Sequence, residues 1–106
     1  MSFRIRHRFG DMEADPPLDR LAALISELDA LEDDEHPDVA VGHESGWTLS
    51  AFPSGLVVWE NVEEDDDPPA RHMDGVTRER LLELFHMIAT GDLETVERQQ
   101  WLPGYS

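Results

Sequence analysis

Five histidines, at positions 7, 36, 43, 72 and 86, are the residues of this chain best suited to hold a metal or carry a proton. A metal site needs ligands spaced to converge, as in HExxH or two histidines one helical turn apart, and no pair here has such a spacing. His86 falls outside the apolar stripe of its segment and His36 and His72 fall in connections, so they read as ordinary surface or core residues. Ser54, in Ala51-Phe52-Pro53-Ser54-Gly55, lacks the first glycine of a nucleophile elbow and belongs to a turn between strands, which argues against an activated serine. Glu44 and Glu60 are the carboxylates nearest to fixed structure. Acid-base catalysis would require one of them in a cleft with a raised pKa, and the sequence calls for no such cleft. The run Glu63-Glu64-Asp65-Asp66-Asp67 lacks the alternating ligands and central glycine of a calcium loop. No catalytic residue, metal ligand or cofactor is expected.

Charge carries more information than any of these side chains. Twenty-four Asp and Glu stand against 8 basic residues, every one of them Arg, for a net charge of -16 in 106 residues. Such a chain is repelled by nucleic-acid phosphates and by anionic lipid, and it is drawn to a basic protein surface. Two segments concentrate the charge: Glu32, Asp33, Asp34 and Glu35 in one, Glu63, Glu64, Asp65, Asp66 and Asp67 in the other. Both are candidates for contact with a basic partner, set against a purely solubilising role. The alternative fate of charge concerns Arg4, Arg6 and Arg8, which could clasp a phosphate or carboxylate but read first as partners for neighbouring acids. With no cysteine, no apolar leader and no run of membrane-spanning length, the expectation is a soluble, cytoplasmic protein.

The 12.1 kDa chain reads as one domain, residues 1–106, with an acidic loop at 63–70 and a C-terminal tail at 101–106. Phe3, Ile5, His7 and Phe9 alternate with Arg4, Arg6 and Arg8, which predicts a strand ended by Gly10. After a turn-rich connection over 11–17, with Asp15 as cap and Pro16 or Pro17 in the first turn, Leu18, Leu21, Ala22, Leu24, Ile25, Leu28 and Leu31 mark a helix. Val39 and Val41 belong to a short strand ending near Ser45. Thr77 caps a second helix with Leu81, Leu82, Leu84, Phe85, Ile88 and Ala89 inward and Gly91 at its end, and Asp92 opens a third around Leu93 and Val96. Trp101 reads as the residue that docks the tail, with a binding anchor as its alternative.

Between these lies a hairpin. Pro53-Ser54-Gly55 has the chemistry of a three-residue loop, which pairs Ala51 with Val57, Leu49 with Trp59 and Trp47 with Asn61. That register puts Trp47, Leu49, Ala51, Val57 and Trp59 on one face. The other face carries Thr48, Ser50, Phe52, Leu56, Val58, Glu60 and Val62, and its apolar end, Phe52, Leu56 and Val58, is expected to be covered or to contact a partner. The fold class is therefore α+β: a mainly antiparallel sheet in the order β-α-β-β-β-α-α, with helices packed on one face.

The strand Gly46-Trp47-Thr48-Leu49, the Ser54-Gly55 turn and the return strand Val57-Val58-Trp59-Glu60-Asn61 resemble the central hairpin of Imm1-like immunity proteins of bacterial polymorphic toxin systems. The resemblance covers about a sixth of the chain. It implies a small α+β protein that neutralises a toxin by binding it, without catalytic residues. The expectation is thus a non-enzymatic interaction domain, of immunity or inhibitor type, that occludes a basic partner such as a toxin. The alternatives are a small carboxylate-dependent enzyme and a self-associating bacterial domain, for instance a homodimer.

Overall fold

Strand alternation and helical stripes each leave one apolar side, and those sides meet in a single layer of core. In the computed structural model, which describes residues 3–7, 12–29, 38–61 and 70–104, the strands β1 (Phe3–Arg6), β2 (Met12–Ala14), β3 (Val39–His43), β4 (Trp47–Ala51), β5 (Val57–Asn61), β6 (Arg71–Met73) and β7 (Leu102–Pro103) form one sheet. Its order is β2-β1-β3-β4-β5-β6-β7, and every neighbouring pair is antiparallel. The helices α1 (Arg20–Ser26), α2 (Arg78–Ala89) and α3 (Leu93–Glu97) complete an α+β fold. Helix α2 lies against β3 and β1 and packs on α1 and α3.

The hairpin has the register that its loop chemistry demands. Ala51 pairs with Val57, Leu49 with Trp59 and Trp47 with Asn61. Phe52 N–H donates to Leu56 O at 2.9 Å and Gly55 N–H to Phe52 O at 3.1 Å, closing the loop around a Gly55 φ of 95°. A left-handed residue there costs glycine nothing and any other residue strain. Leu49, Ala51, Val57 and Trp59 are fully or almost fully buried, joined in the core by Ile5, Val39 and Val41 of neighbouring strands and by Leu21, Leu24, Leu81, Leu84, Phe85 and Ile88 of the helices.

Helix ends follow their caps at α2 and α3. Thr77 accepts from Arg80 N–H at 3.1 Å, and Asp92 accepts from Thr95 N–H at 3.3 Å. Helix α1 departs from its expected bounds. Asp15 is not its cap: its φ is 48°, and its carboxylate accepts from Phe3 N–H at 2.9 Å, pinning β2 to the start of β1. The helix begins after Asp19, so Pro16 and Pro17 lie in the approach and Leu18, 41% exposed, is outside the stripe. It gives way to a 3-10 turn at Glu27–Asp29, and residues 30–37 lie outside those described.

Three short strands occupy stretches whose sequence shows no period. Met12–Ala14 lies in the expected connection, Arg71–Met73 follows the acidic loop, and Leu102–Pro103 belongs to the tail. The tail is docked as expected of Trp101: its indole N–H donates to Val96 O at 2.8 Å and its ring stacks 6.1 Å from that of Trp59, which in turn stacks 4.9 Å from Trp47. Glu97 ties this stack to the sheet by accepting from the Trp59 indole at 2.9 Å and from Arg71 at 2.8 Å.

Candidate functional site

Strand pleating sends alternate residues to opposite sides, so the register defines the side away from the core. One row across it runs Met12, Arg6, Ala40, Ser50, Val58, His72, Leu102, and a second runs Ala14, Arg4, Gly42, Thr48, Glu60. None of the described helices packs on these rows, whose buried members lie outside the core cluster. Over β1 to β4 the side chains are small or charged, and Met12 and Leu102 at the two ends are 59% and 51% exposed.

Among the described residues, three hollows border this side. A space of about 120 Å³ is lined by Arg4, Ile5, Arg6, Met12, Ala40, Gly42 and Thr48. Toward one end, about 220 Å³ is bounded by Phe3, Arg4, Ala14, Gly42, His43 and Glu44. Beside Arg6, about 200 Å³ is bounded by Arg6, Asp38, Ser50, Phe52, Val58 and Glu60. Arg4 and Arg6 thus divide a shallow trough, and Arg6 is ion-paired with Asp38.

Of the expected partner-contact residues, Phe52 and Val58 come together in the hollow beside Arg6. Phe52 is half-buried, whereas Val58 is only 4% exposed and forms floor. Leu56, also half-buried, stands at the hairpin end beside Phe52. Glu32, Asp33, Asp34, Glu35, Glu63, Glu64, Asp65, Asp66 and Asp67 lie outside the described residues. Glu60 is opposite Thr48 as expected, but it and Glu44 line different hollows. Ser54 is exposed at the hairpin tip, where its hydroxyl accepts from Leu56 N–H at 3.4 Å.

The histidines are distributed through the fold. His86 is exposed on α2. His72, expected in a connection, is instead 5% exposed on β6 with Nδ1 3.1 Å from Gly104 O. His43 is buried at the end of β3, its Nδ1 accepting from Ser45 N–H at 3.1 Å. Among the described residues no group of three or more His, Asp or Glu is arranged to hold a metal ion.

His7 is the one the sequence undervalued. Continuing β1 on its core side, it is clasped between Glu27 at Nδ1 and Glu13, 2.6 Å from Nε2, and Arg20 reaches Glu13 at 3.4 Å. Burial pushes the imidazole toward the neutral form, but hydrogen bonds to Glu13 and Glu27 and their negative charge outweigh it, so the His7 pKa is raised. Both ring nitrogens donate when the ring is protonated, joining β1, β2 and the end of α1. Sequence alternation put His7 inward; its two carboxylate partners, 6 and 20 residues away, carry no local signal.

Comparison of the chain with family models, with curated proteins and with solved structures finds no match in any of the three. No described helix is long and apolar enough to cross a membrane.

Proposed function

We propose that this chain is a non-enzymatic interaction domain, of immunity or inhibitor type, that occludes a basic protein partner in the cytoplasm. The observation that carries the reading is the one-sided fold: helices cover one side of a seven-stranded sheet, and the other side keeps a shallow trough with Phe52, Met12 and Leu102 at least partly accessible. A net charge of -16 supplies the selectivity, because it accelerates encounter with a cationic surface and opposes acidic competitors. Partly buried aromatic and aliphatic groups such as Phe52 and Leu56 then hold the complex once water is excluded. The resemblance of the 46–61 hairpin to Imm1-like immunity proteins favours a toxin as that partner.

The test pairs the purified chain with the protein encoded beside it, followed by size-exclusion chromatography at low and high salt and by an assay of the partner's activity. The expected result is a complex that inhibits the partner and weakens steeply with salt. Converting the acids at 32–35 and 63–67 to amides is expected to abolish inhibition while leaving the fold intact. A variant so neutralised that inhibits as well as the parent overturns the proposal.

A further inference from the structure

In a chain with three acids for each base, the Arg4 side chain makes no hydrogen bond or ion pair among the described residues. Arg6, two residues along the same face, reaches Asp38, and Arg20, Arg71, Arg80 and Arg98 each reach a carboxylate. Arg4 stands out because its strand neighbours are Ala14 and Gly42, neither of which offers an acceptor side chain.

The same neighbours shape the space around it. A methyl group at Gly42 would stand 3.2 Å from Thr48 Oγ1 and 3.8 Å from Arg4 Cγ and Nε, so the Arg4 stem passes over the bare α-carbon. Beside it opens the hollow of about 120 Å³, whose charged lining residues among those described are Arg4 and Arg6 and whose apolar side chains are Met12 and Ala40, with only the Ile5 main chain bordering it. Thr48 adds little donor capacity, because its hydroxyl proton is given to Gly46 O at 3.1 Å. A guanidinium has five N–H donors in a planar fork, so Arg4 has its full set available and Arg6 retains those not directed at Asp38.

The geometry points to this hollow as a binding site for a single carboxylate carrying a short aliphatic stem, held by the Arg4 fork with Arg6 alongside and the stem against Met12 and Ala40. One unpaired guanidinium matches one carboxylate in charge and in bidentate shape. A phosphate dianion would bring a second negative charge into a chain already at -16, which the one guanidinium of Arg4 does not offset. The carboxylate has two sources, a free short-chain acid or a glutamate side chain of another protein. The site stands apart from the proposed inhibitory role, since it requires no partner protein to be tested.

The experiment is a 15N–1H NMR titration of the full chain with acetate, propionate, butyrate and N-acetylglutamate amide, each against sodium chloride at matched ionic strength, and with inorganic phosphate. Saturating shifts at the Gly42 and Thr48 amides and at Arg4 Nε–H are expected for the carboxylates and absent for chloride. Arg4→Gln, at an exposed side chain, is expected to leave the spectrum folded and to weaken binding about tenfold or more. Gly42→Ala, which removes no charge, is expected to weaken it as well by raising the floor. Saturation by N-acetylglutamate amide identifies a protein side chain as a competent source, and saturation by the free acids alone identifies a small molecule. Linear shifts without saturation, equal binding by Arg4→Gln, or tighter binding of phosphate overturns the inference.

Discussion

The two sides of the sheet are made from the same strands and differ in almost every physical respect. Toward the helices, one row reads Ile5, Val41, Leu49, Trp59, all fully buried, and the next row reads Val39, Ala51, Val57. Away from them, the corresponding rows read Arg4, Gly42, Thr48, Glu60 and Arg6, Ala40, Ser50, Val58. The first side excludes water along these central rows of β1, β3, β4 and β5, so its side chains determine whether the chain folds. The second places small residues where a helix would need apolar bulk, so it adds little to the core.

Paired truncations across one hairpin test that division most severely. Trp59→Ala removes a fully buried ring that stacks on Trp47 and Trp101, and it is expected to cost about 3–5 kcal/mol. Ser50→Ala, on the opposite side of the adjacent strand, is expected to change stability by about 0.5 kcal/mol or less. Urea unfolding of the two variants measures both. Comparable losses would mean that the trough side is as much a part of the core as the helix side.

The hairpin that joins the two sides is also where the sequence was most legible. Pro53-Ser54-Gly55 specifies a loop length, the loop specifies the register, and the register sorts the ten residues of Trp47–Ala51 and Val57–Asn61 onto their sides without any long-range information. The caps at Thr77 and Asp92 were legible for the same reason, since donor and acceptor are three residues apart. Illegible features depend on contacts remote in sequence or too short to show a period. β2 and β6 have three residues each and β7 has two, below the length at which alternation can be recognised. Asp15 looked like a cap because its type and the following prolines fit one, whereas its carboxylate is taken by Phe3 N–H, 12 residues away. At the candidate site, alternation correctly sent Arg4 and Arg6 outward, but only the register places Ala14 and Gly42 beside Arg4 and Asp38 beside Arg6. The acidic segments, prominent in the sequence, lie outside the described residues and leave that part of the expectation to the inhibition assay.

A glycine from each setting sharpens the comparison at lower cost. Gly55 has a φ of 95°, and a methyl group there would touch the Gly75 and Val76 backbone at 3.4 Å. Gly55→Ala is therefore expected to destabilise by about 1–2 kcal/mol, chiefly from the left-handed backbone. Gly42, on the trough side, carries no such backbone strain, and its replacement by alanine meets only the Thr48 hydroxyl at 3.2 Å and the flexible Arg4 stem. Gly42→Ala should unfold at a urea concentration closer to that of the parent than Gly55→Ala does. The reverse ranking would show that the trough floor, and not the turn, is the less tolerant position.

The smallest effect expected belongs to His7, at the margin where the covered side meets the β1–β2 hairpin. Glu13 and Glu27 face its two nitrogens, and Arg20 of α1 engages Glu13 from the other direction. With the folded-state pKa raised above the ordinary value near 6.5, the folded protein binds the proton more tightly than the unfolded chain. The protonated clasp therefore contributes fully below about pH 6.5, and its contribution falls away as the pH rises through the folded-state value. Unfolding midpoints measured from about pH 5.5 to about pH 8.5 should decline across that window for the parent and lose that part of the slope in His7→Gln, whose amide keeps hydrogen bonding but cannot titrate. Equal slopes in the two proteins would show that the clasp holds the hairpin to α1 as well neutral as charged, and the difference between the two sides of the sheet would then owe nothing to this proton.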